Sequence, residues 1–490
     1  MLSILIGHSY FQQFDRKQAE RAKPYPPLAT LQVAALLRQQ GHRVGLFDAM
    51  LAASEAEFED SLERDRPQLV LVYEDNYNFL TKMCLARMRE ACLAMIAMAR
   101  SRGARVVVAG SDASDAPEPY LRGGADVVLR GEGLAELQAL LPRLAARIDL
   151  PALQLIAGLP SASCLADGAV RRGEAPLLAY AEVPSLGDER PLEAEAAWDL
   201  VDIERYRRVW TRAHGRFSLN MASSKGCSFR CAWCAKPIWG RRYEQRDPVA
   251  VAAEMVLLRE RFGPDHIWFA DDIFGFRADW VQRFADALEA RGGGVPFTIQ
   301  IRPDLISEAM ARALARAGCQ EAWLGAESGS QKVLDAMDKG TTVETIHLAR
   351  ERLREQGIRV GFFIQLGYLG EEAEDLLATR RLVELARPDD VGVSVAYPLP
   401  GTRFFDEVQA QLRGKTHWDD SGDLAMMFEG TFGTAFYREA RDLLHEQVRV
   451  SQLPSEARAL AEPVLAGRWD ALMARAQVHQ EAEQAGACLA

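Results

Sequence analysis

No run of apolar residues in this chain approaches the ~20 that carry a helix across a bilayer. The opening stretch Met1-Leu-Ser-Ile-Leu-Ile-Gly-His8 lacks the basic lead and the small-residue cleavage site of a secretory signal. It reads as a first β-strand, and the expected location is cytoplasmic. Positive charge is in deficit too: 58 Lys and Arg against 69 Asp and Glu leave a net charge of −11. That argues against the broad basic footprint of nucleic-acid binding. The local exception, Arg205, Arg207, Arg208, Arg212 and Arg216, reads as a solvated face or one paired with acidic neighbours. Internal repeats and low-complexity tracts are absent. What remains is an ordinary globular composition, 48% hydrophobic and 26% charged over 490 residues, enough for two or three domains with large cores.

Cysteine is sparse as well, with 8 in the chain. Cys84, Cys92, Cys164, Cys319 and Cys488 have no metal-like spacing and read mostly as small buried hydrophobes. The other three stand together. Cys227, Cys231 and Cys234 form C-x3-C-x2-C, with Trp233 immediately before the last of them. Three thiolates this close can ligate three corners of one iron–sulfur cube and leave the fourth iron open to a small molecule. A structural zinc site closes with a fourth Cys or His at short range. Here the nearest histidines are His214 and His266, so zinc remains only as a distorted alternative. A disulfide is disfavoured in a chain without a secretory signal.

The first 145 residues alternate short β-rich runs with helical periodicity. Strands are predicted at Ser3–Ile6, Val44–Phe47, Leu69–Tyr73, Arg105–Ala109 and Asp126–Leu129, with helices such as Leu28–Gln40 and Lys82–Arg102 between them. That alternation predicts a doubly wound, Rossmann-like α/β domain over 1–145, with ligand at the carboxyl ends of its strands. Residues 146–205 mix Pro, Gly and acidic segments and read as a linker. Alternation returns over 206–405, with strands expected at Ser218–Ala222, His266–Ala270, Phe297–Ile301, Glu321–Leu324, Arg359–Leu366 and Val391–Val395. Six βα units make a partial barrel whose chemistry sits at the strand C-terminal ends. Residues 406–490 read as helical, strongest at Ala435–Val448 and Trp469–Gln480.

The strand ends carry polar or glycine-bearing loops. They include Asp271 and Asp272 after the second barrel strand, Arg302 after the third, Glu327-Ser328 after the fourth, and Gln365 and Gly367 on the fifth. Each alone is as readily a helix cap as a ligand contact. In the first domain the corresponding loops hold His8; Tyr73 and Asn76; Gly110, Ser111 and Asp112; and Gly131, Glu132 and Gly133.

The cysteine motif with its aromatic residue resembles the signature of the radical S-adenosylmethionine (SAM) superfamily. The domain order resembles its cobalamin-dependent group, which includes class B methyltransferases and the anaerobic magnesium-protoporphyrin monomethyl ester cyclases. The resemblance covers about residues 1–405. It implies a 4Fe–4S cluster on Cys227, Cys231 and Cys234. It implies SAM contacts from Trp233, Asp271, Asp272, Arg302, Glu327, Ser328, Gln365 and Gly367. Cobalamin contacts would come from His8, Tyr73, Asn76, Gly110, Ser111, Asp112, Gly131, Glu132 and Gly133. One departure matters: the D-x-H-x-x-G element that ligates cobalt from below is missing, and the loop reads Ile6-Gly-His-Ser-Tyr-Phe-Gln12. His8 is therefore expected as a loop or hydrogen-bonding residue rather than an axial ligand.

The implied activity is methylation of an unactivated carbon of a small-molecule substrate, through methylcobalamin and a 5′-deoxyadenosyl radical. An electron donor such as flavodoxin or ferredoxin would supply the electron. A cobalamin radical SAM oxidase or cyclase that transfers no methyl is the alternative, and an iron–sulfur redox protein a remoter one. Trp418, Met426, Met427 and Phe428 read either as an apolar cap over the substrate or as ordinary core.

Overall fold

The computed structural model describes residues 1–83, 85–173, 195–234, 238–239 and 242–487, the stretch 478–487 by its backbone alone. Cys84 and Cys488 lie outside the described residues; Cys92, Cys164 and Cys319 are buried, as their apolar surroundings suggest.

The first sheet forms from β1 (Ser3–Gly7), β2 (Arg43–Phe47), β3 (Leu69–Tyr73), β4 (Arg105–Ala109) and β5 (Val127–Leu129), all parallel and ordered β2-β1-β3-β4-β5. β3 is Leu-Val-Leu-Val-Tyr, buried at every residue. Such a continuous β-branched and apolar run suits a parallel strand covered by helices on both faces. The strand order reverses between β1 and β3, and a doubly wound sheet opens its ligand crevice at that point.

The stretch read as a linker differs from expectation. β6 (Ala162–Ala166) and β7 (Ala169–Arg172) extend the first sheet antiparallel from β5. The two are joined by Asp167-Gly168, both at positive φ, 52° and 74°. That is the Asp-Gly pattern of a tight hairpin turn. Residues 174–194 lie outside the described residues.

The second sheet has six parallel strands: β8 (Ser218–Met221), β11 (His266–Phe269), β12 (Phe297–Ile301), β13 (Cys319–Glu327), β14 (Arg359–Leu366) and β15 (Asp390–Val395), in spatial as in chain order. Each crossover carries a helix, so one face is packed and the other lines a half-barrel lumen. Between β8 and β11, the short antiparallel pair β9 (Ser224–Gly226) and β10 (Tyr243–Gln245) brackets the cysteine loop.

After β15 the chain returns to the first domain. Ser421 donates from its N–H and its hydroxyl to Asp15, and His417 reaches Asp112. The Trp418 carbonyl accepts from Ala86 N–H. The helix Thr434–Ser451 then packs beside β15, and the helix Ser455–Ala487 lies on it. Trp418, Met426, Met427 and Phe428 are all buried, which is the core reading of that cluster. None of the described helices is long and apolar enough to cross a membrane.

Candidate active site where the two sheets meet

Cys227 follows β9 directly, and all three cysteines are partly exposed, unlike the buried Cys92, Cys164 and Cys319. The loop is pinned at its middle: Ala232 N–H donates to the Met337 carbonyl at 2.8 Å, and Phe404 N–H to the Ala232 carbonyl at 3.1 Å. Arg302, only 4% exposed, stacks over the Phe229 ring at 3.7 Å and points Nη1 at Cys231 Sγ, 3.6 Å away. Among the described residues no three His, Cys, Asp or Glu side chains close into a metal cage. The donor set is instead three accessible thiols within eight residues, with a cation at one of them. That set suits a cluster held by three thiolates and carrying negative charge.

Arg302 was expected to meet a ligand carboxylate or ribose hydroxyl. Its guanidinium is largely committed within the chain, to Asp304 through Nε and Nη2 (2.9 and 3.2 Å) and to the Lys339 carbonyl at 2.6 Å. Asp271 is likewise occupied. Its buried carboxylate accepts from Ser223 N–H, Ser223 Oγ and Ser224 Oγ, at 3.1, 2.7 and 2.5 Å. It therefore ties the corner between β8 and β9 that leads into the cysteines. Burial pushes its pKa up to about 6, against the pull of those donors. Asp272 pairs with Lys82 of the first domain at 2.6 Å.

Glu327 sits at φ 61° and forms a buried ion pair with Lys339, 2.7 Å apart. Burial lowers the Lys339 pKa, but Glu327 and Cys231 outweigh it and the net direction is up. Ser328 Oγ bonds Thr379 and is fully buried. Two expected SAM contacts keep polar atoms in reserve: Trp233 Nε1 and Gln365 Oε1 are buried without a partner. Such atoms are rare in native structures and call for an explanation. Gly367, at φ 72°, faces Met426 and Tyr437 so closely that a Cβ would stand 2.9 Å from the Met426 methyl.

In the first domain the loops after β1, β3 and β4 converge at the strand-order reversal. His8 is fully buried, with Nε2 on Asp48 Oδ1 at 3.2 Å and Nδ1 without a partner. Burial lowers its pKa, but Asp48, Glu74 and Asp75 together carry it upward. Asn76 Oδ1 and Ser111 Oγ are also buried and unpartnered. Three orphaned polar atoms at three neighbouring strand ends fit a polar ligand laid across the crevice, as cobalamin would be. Gly110 is held against Glu74, whose Cγ would lie 2.6 Å from any added Cβ.

Three residues expected at the corrin make hydrogen bonds within the chain. Tyr73 donates to the Glu132 carbonyl at 2.8 Å, and Gly131 N–H to Ser114 Oγ at 2.9 Å. Asp112 takes a two-pronged contact from Arg89, both at 2.5 Å, plus Tyr120 and His417. Gly133, at φ 64°, leads into the helix Leu134–Ala146.

The two half-sites adjoin. Glu132 meets Lys225, two residues before Cys227, at 2.5 Å, and its N–H donates to the Ile238 carbonyl at 3.0 Å. Tyr77 packs on Trp239 at 5.4 Å. Lys225 and Trp239 escaped the sequence reading. Their signal is position alone, beside motifs already singled out.

Comparison with known proteins agrees with this geometry. Residues 18–141 match the B12 binding domain, and residues 221–383 match the Radical SAM superfamily. The chain is a cobalamin-dependent radical SAM enzyme. Its cofactors are a 4Fe–4S cluster, SAM and cobalamin. It is 25% identical over 385 residues to an uncharacterized methyltransferase of Pyrococcus horikoshii, covering 78% of either chain. It is also 25% identical over 290 residues to the anaerobic magnesium-protoporphyrin IX monomethyl ester cyclase of Rubrivivax gelatinosus, spanning 58% of this chain and 49% of that one. Among solved structures, the radical SAM methyltransferase TsrM of Kitasatospora setae, with cobalamin and 4Fe–4S cluster bound, superposes with a TM-score of 0.67 at 20% identity, covering 83% of this chain and 77% of that one. That likeness is one of fold.

Proposed function

We propose that this radical SAM enzyme methylates an unactivated carbon of a small-molecule substrate. The observation that carries the reading is the direct seating of the cobalamin crevice on the cysteine loop through Glu132–Lys225 and Tyr77–Trp239. It would bring the two cofactor sites to bear on one substrate. When bound, the cluster and SAM supply an electron and a radical source, and cobalamin a methyl carrier. The residues of the chain orient and enclose. Cys227, Cys231 and Cys234 would hold the cluster, and Arg302 would offset its charge at Cys231. Trp233 Nε1 and Gln365 Oε1 would meet SAM. Asp271, Asp272, Glu327 and Ser328 would keep the surrounding loops in place. His8, Asn76 and Ser111 would meet the corrin. The electron would come from a small donor such as flavodoxin or ferredoxin.

A second reading, oxidation or ring closure without methyl transfer, is supported by the cyclase relative. Turnover products separate the two. Methyl transfer should release S-adenosylhomocysteine and 5′-deoxyadenosine in comparable amounts, with methyl label entering the product. Deoxyadenosine without S-adenosylhomocysteine would favour the cyclase-like reading.

A further inference from the structure

Side chains alternate between the two faces of a strand, and in the second sheet the alternation separates two environments. Ala322, Leu324, Phe362, Ile364 and Val391 are almost wholly buried under the helices. Their neighbours on the lumen face, including Gln300, Trp323, Phe363 and Ser394, are only half-buried. A closed barrel fills such a lumen with branched side chains. Here the rows beside the aromatics hold glycine. Gly361 stands opposite Trp323, and Gly392 opposite Phe363, in the parallel registers of β13–β14 and β14–β15.

Those glycines are spaces that the rings use. A Cβ on Gly361 would lie 2.6 Å from the Trp323 indole, and one on Gly392 would lie 3.2 Å from Phe363 and 3.3 Å from Trp323. The two rings stack 4.9 Å apart at 28°, leaning across the sheet. Trp323 Nε1 donates to Glu321 Oε2 at 3.2 Å, which fixes the indole edge. At the opposite wall Ser218, His266 and Thr298 form a hydrogen-bonded row (2.8 and 2.9 Å), closed by Tyr25. Burial pushes the His266 pKa down to about 3, so that row is uncharged at neutral pH. Gln300 and Ser394 stand beside the rings, and charge gathers at their foot, where Glu321 pairs with Arg359 and Asp390 stands opposite Gly361.

We infer that the stacked pair Trp323–Phe363 is the seat for the substrate's apolar part, and that this part is a flat, ring-bearing hydrocarbon rather than a linear chain. The inference rests on the proposed methylation of a small-molecule substrate and places that substrate in this lumen. A preset aromatic plane rewards a partner that can lie parallel to it, and such pairs gain beyond the area they bury. A flexible chain gains no stacking and loses more conformational freedom on binding.

The experiment uses two probes with the reconstituted enzyme under anaerobic conditions: 8-anilinonaphthalene-1-sulfonate as the ring-bearing one and cis-parinaric acid as the linear one. Binding is read by probe fluorescence. Wild-type enzyme should bind the naphthyl probe more tightly. Trp323→Ala should weaken that binding about tenfold, Trp323→Phe should restore most of it, and neither should change parinaric acid binding by a comparable factor. Gly361→Ala, which displaces the indole without removing it, should mimic Trp323→Ala. Thermal unfolding of each variant checks that it is folded. Equal naphthyl binding by wild type and a folded Trp323→Ala, or tighter binding of the linear probe, overturns the inference. SAM cleavage by the wild-type preparation is scored separately, so a failure of the catalytic reading shows there and not in the probe titration.

Discussion

Glu132 of the first domain and Lys225 of the second meet at 2.5 Å, each about a quarter exposed. The pair joins the loop after β5 to the strand that delivers Cys227, so a single contact couples the register of both cofactor sites. Glu132→Gln keeps the shape and removes the charge. We expect it to cost about 1 kcal/mol of stability, the upper range for a partly exposed pair. Cobalamin should also leave faster during gel filtration, and the effect should shrink in high salt.

Cluster loading tests the cysteines directly. Anaerobic reconstitution should give about four irons per chain. Alanine at Cys227, Cys231 or Cys234 should abolish reductive SAM cleavage. A triple variant with full cluster absorbance would refute the assignment.

Arg302 is poised to set the cluster's electron affinity. The reduced cluster carries one more negative charge, which the guanidinium near Cys231 Sγ stabilises. Arg302→Met should move the midpoint potential more negative, on the order of 50 mV, the equivalent of about one tenfold factor for one electron. Potentiometry followed by EPR reads it. An unchanged potential in a folded variant would mean that Asp304 already cancels the cation.

Glu371 predicts a pH slope. Burial pushes its pKa up to about 8 from an ordinary 4.5, while Gly367 N–H donates to one of its oxygens at 2.7 Å. The folded protein then binds a proton that the unfolded chain releases. Stability from this group is complete below about pH 4.5 and is lost as pH rises through about 8. Glu371→Gln, which imitates the protonated acid, should flatten the fall in melting temperature between pH 5 and 8, read by calorimetry in roughly unit steps. A wild-type curve with no such fall would contradict the protonated form.

Gly367→Ala would force a side chain into positive φ and into Met426 and Tyr437. A loss of about 1–3 kcal/mol is expected. Chemical denaturation measures it, and Met426→Ala should recover part of it.

Much of the fold was legible because each strand is a compact local signal. Leu69–Tyr73 and Arg359–Leu366 are apolar or β-rich runs bounded by polar loops, and the structure places both strands at those residues. The hairpin β6–β7 carried a readable cue in Asp167-Gly168, but its strands are short and polar on the exposed side, so composition suggested a linker. The site was legible only in kind. Asp271 and Arg302 sit at strand ends as expected, yet their partners, Ser223, Ser224, Asp304 and Lys339, are fixed by loop geometry that no spacing rule encodes. Asp112 shows the limit most clearly: it pairs with His417, 305 positions away.

That long return has a consequence for how the enzyme is made. Asp15 waits for Ser421, which lies 406 positions downstream. At roughly 5–20 residues per second the ribosome needs roughly 20–80 s to cover that distance. For the later part of that interval the strands of the first sheet have all been made while the segment that fastens them is still unmade. The contacts of Ser421 with Asp15 and of His417 with Asp112 therefore form only after every strand of both sheets has been synthesised.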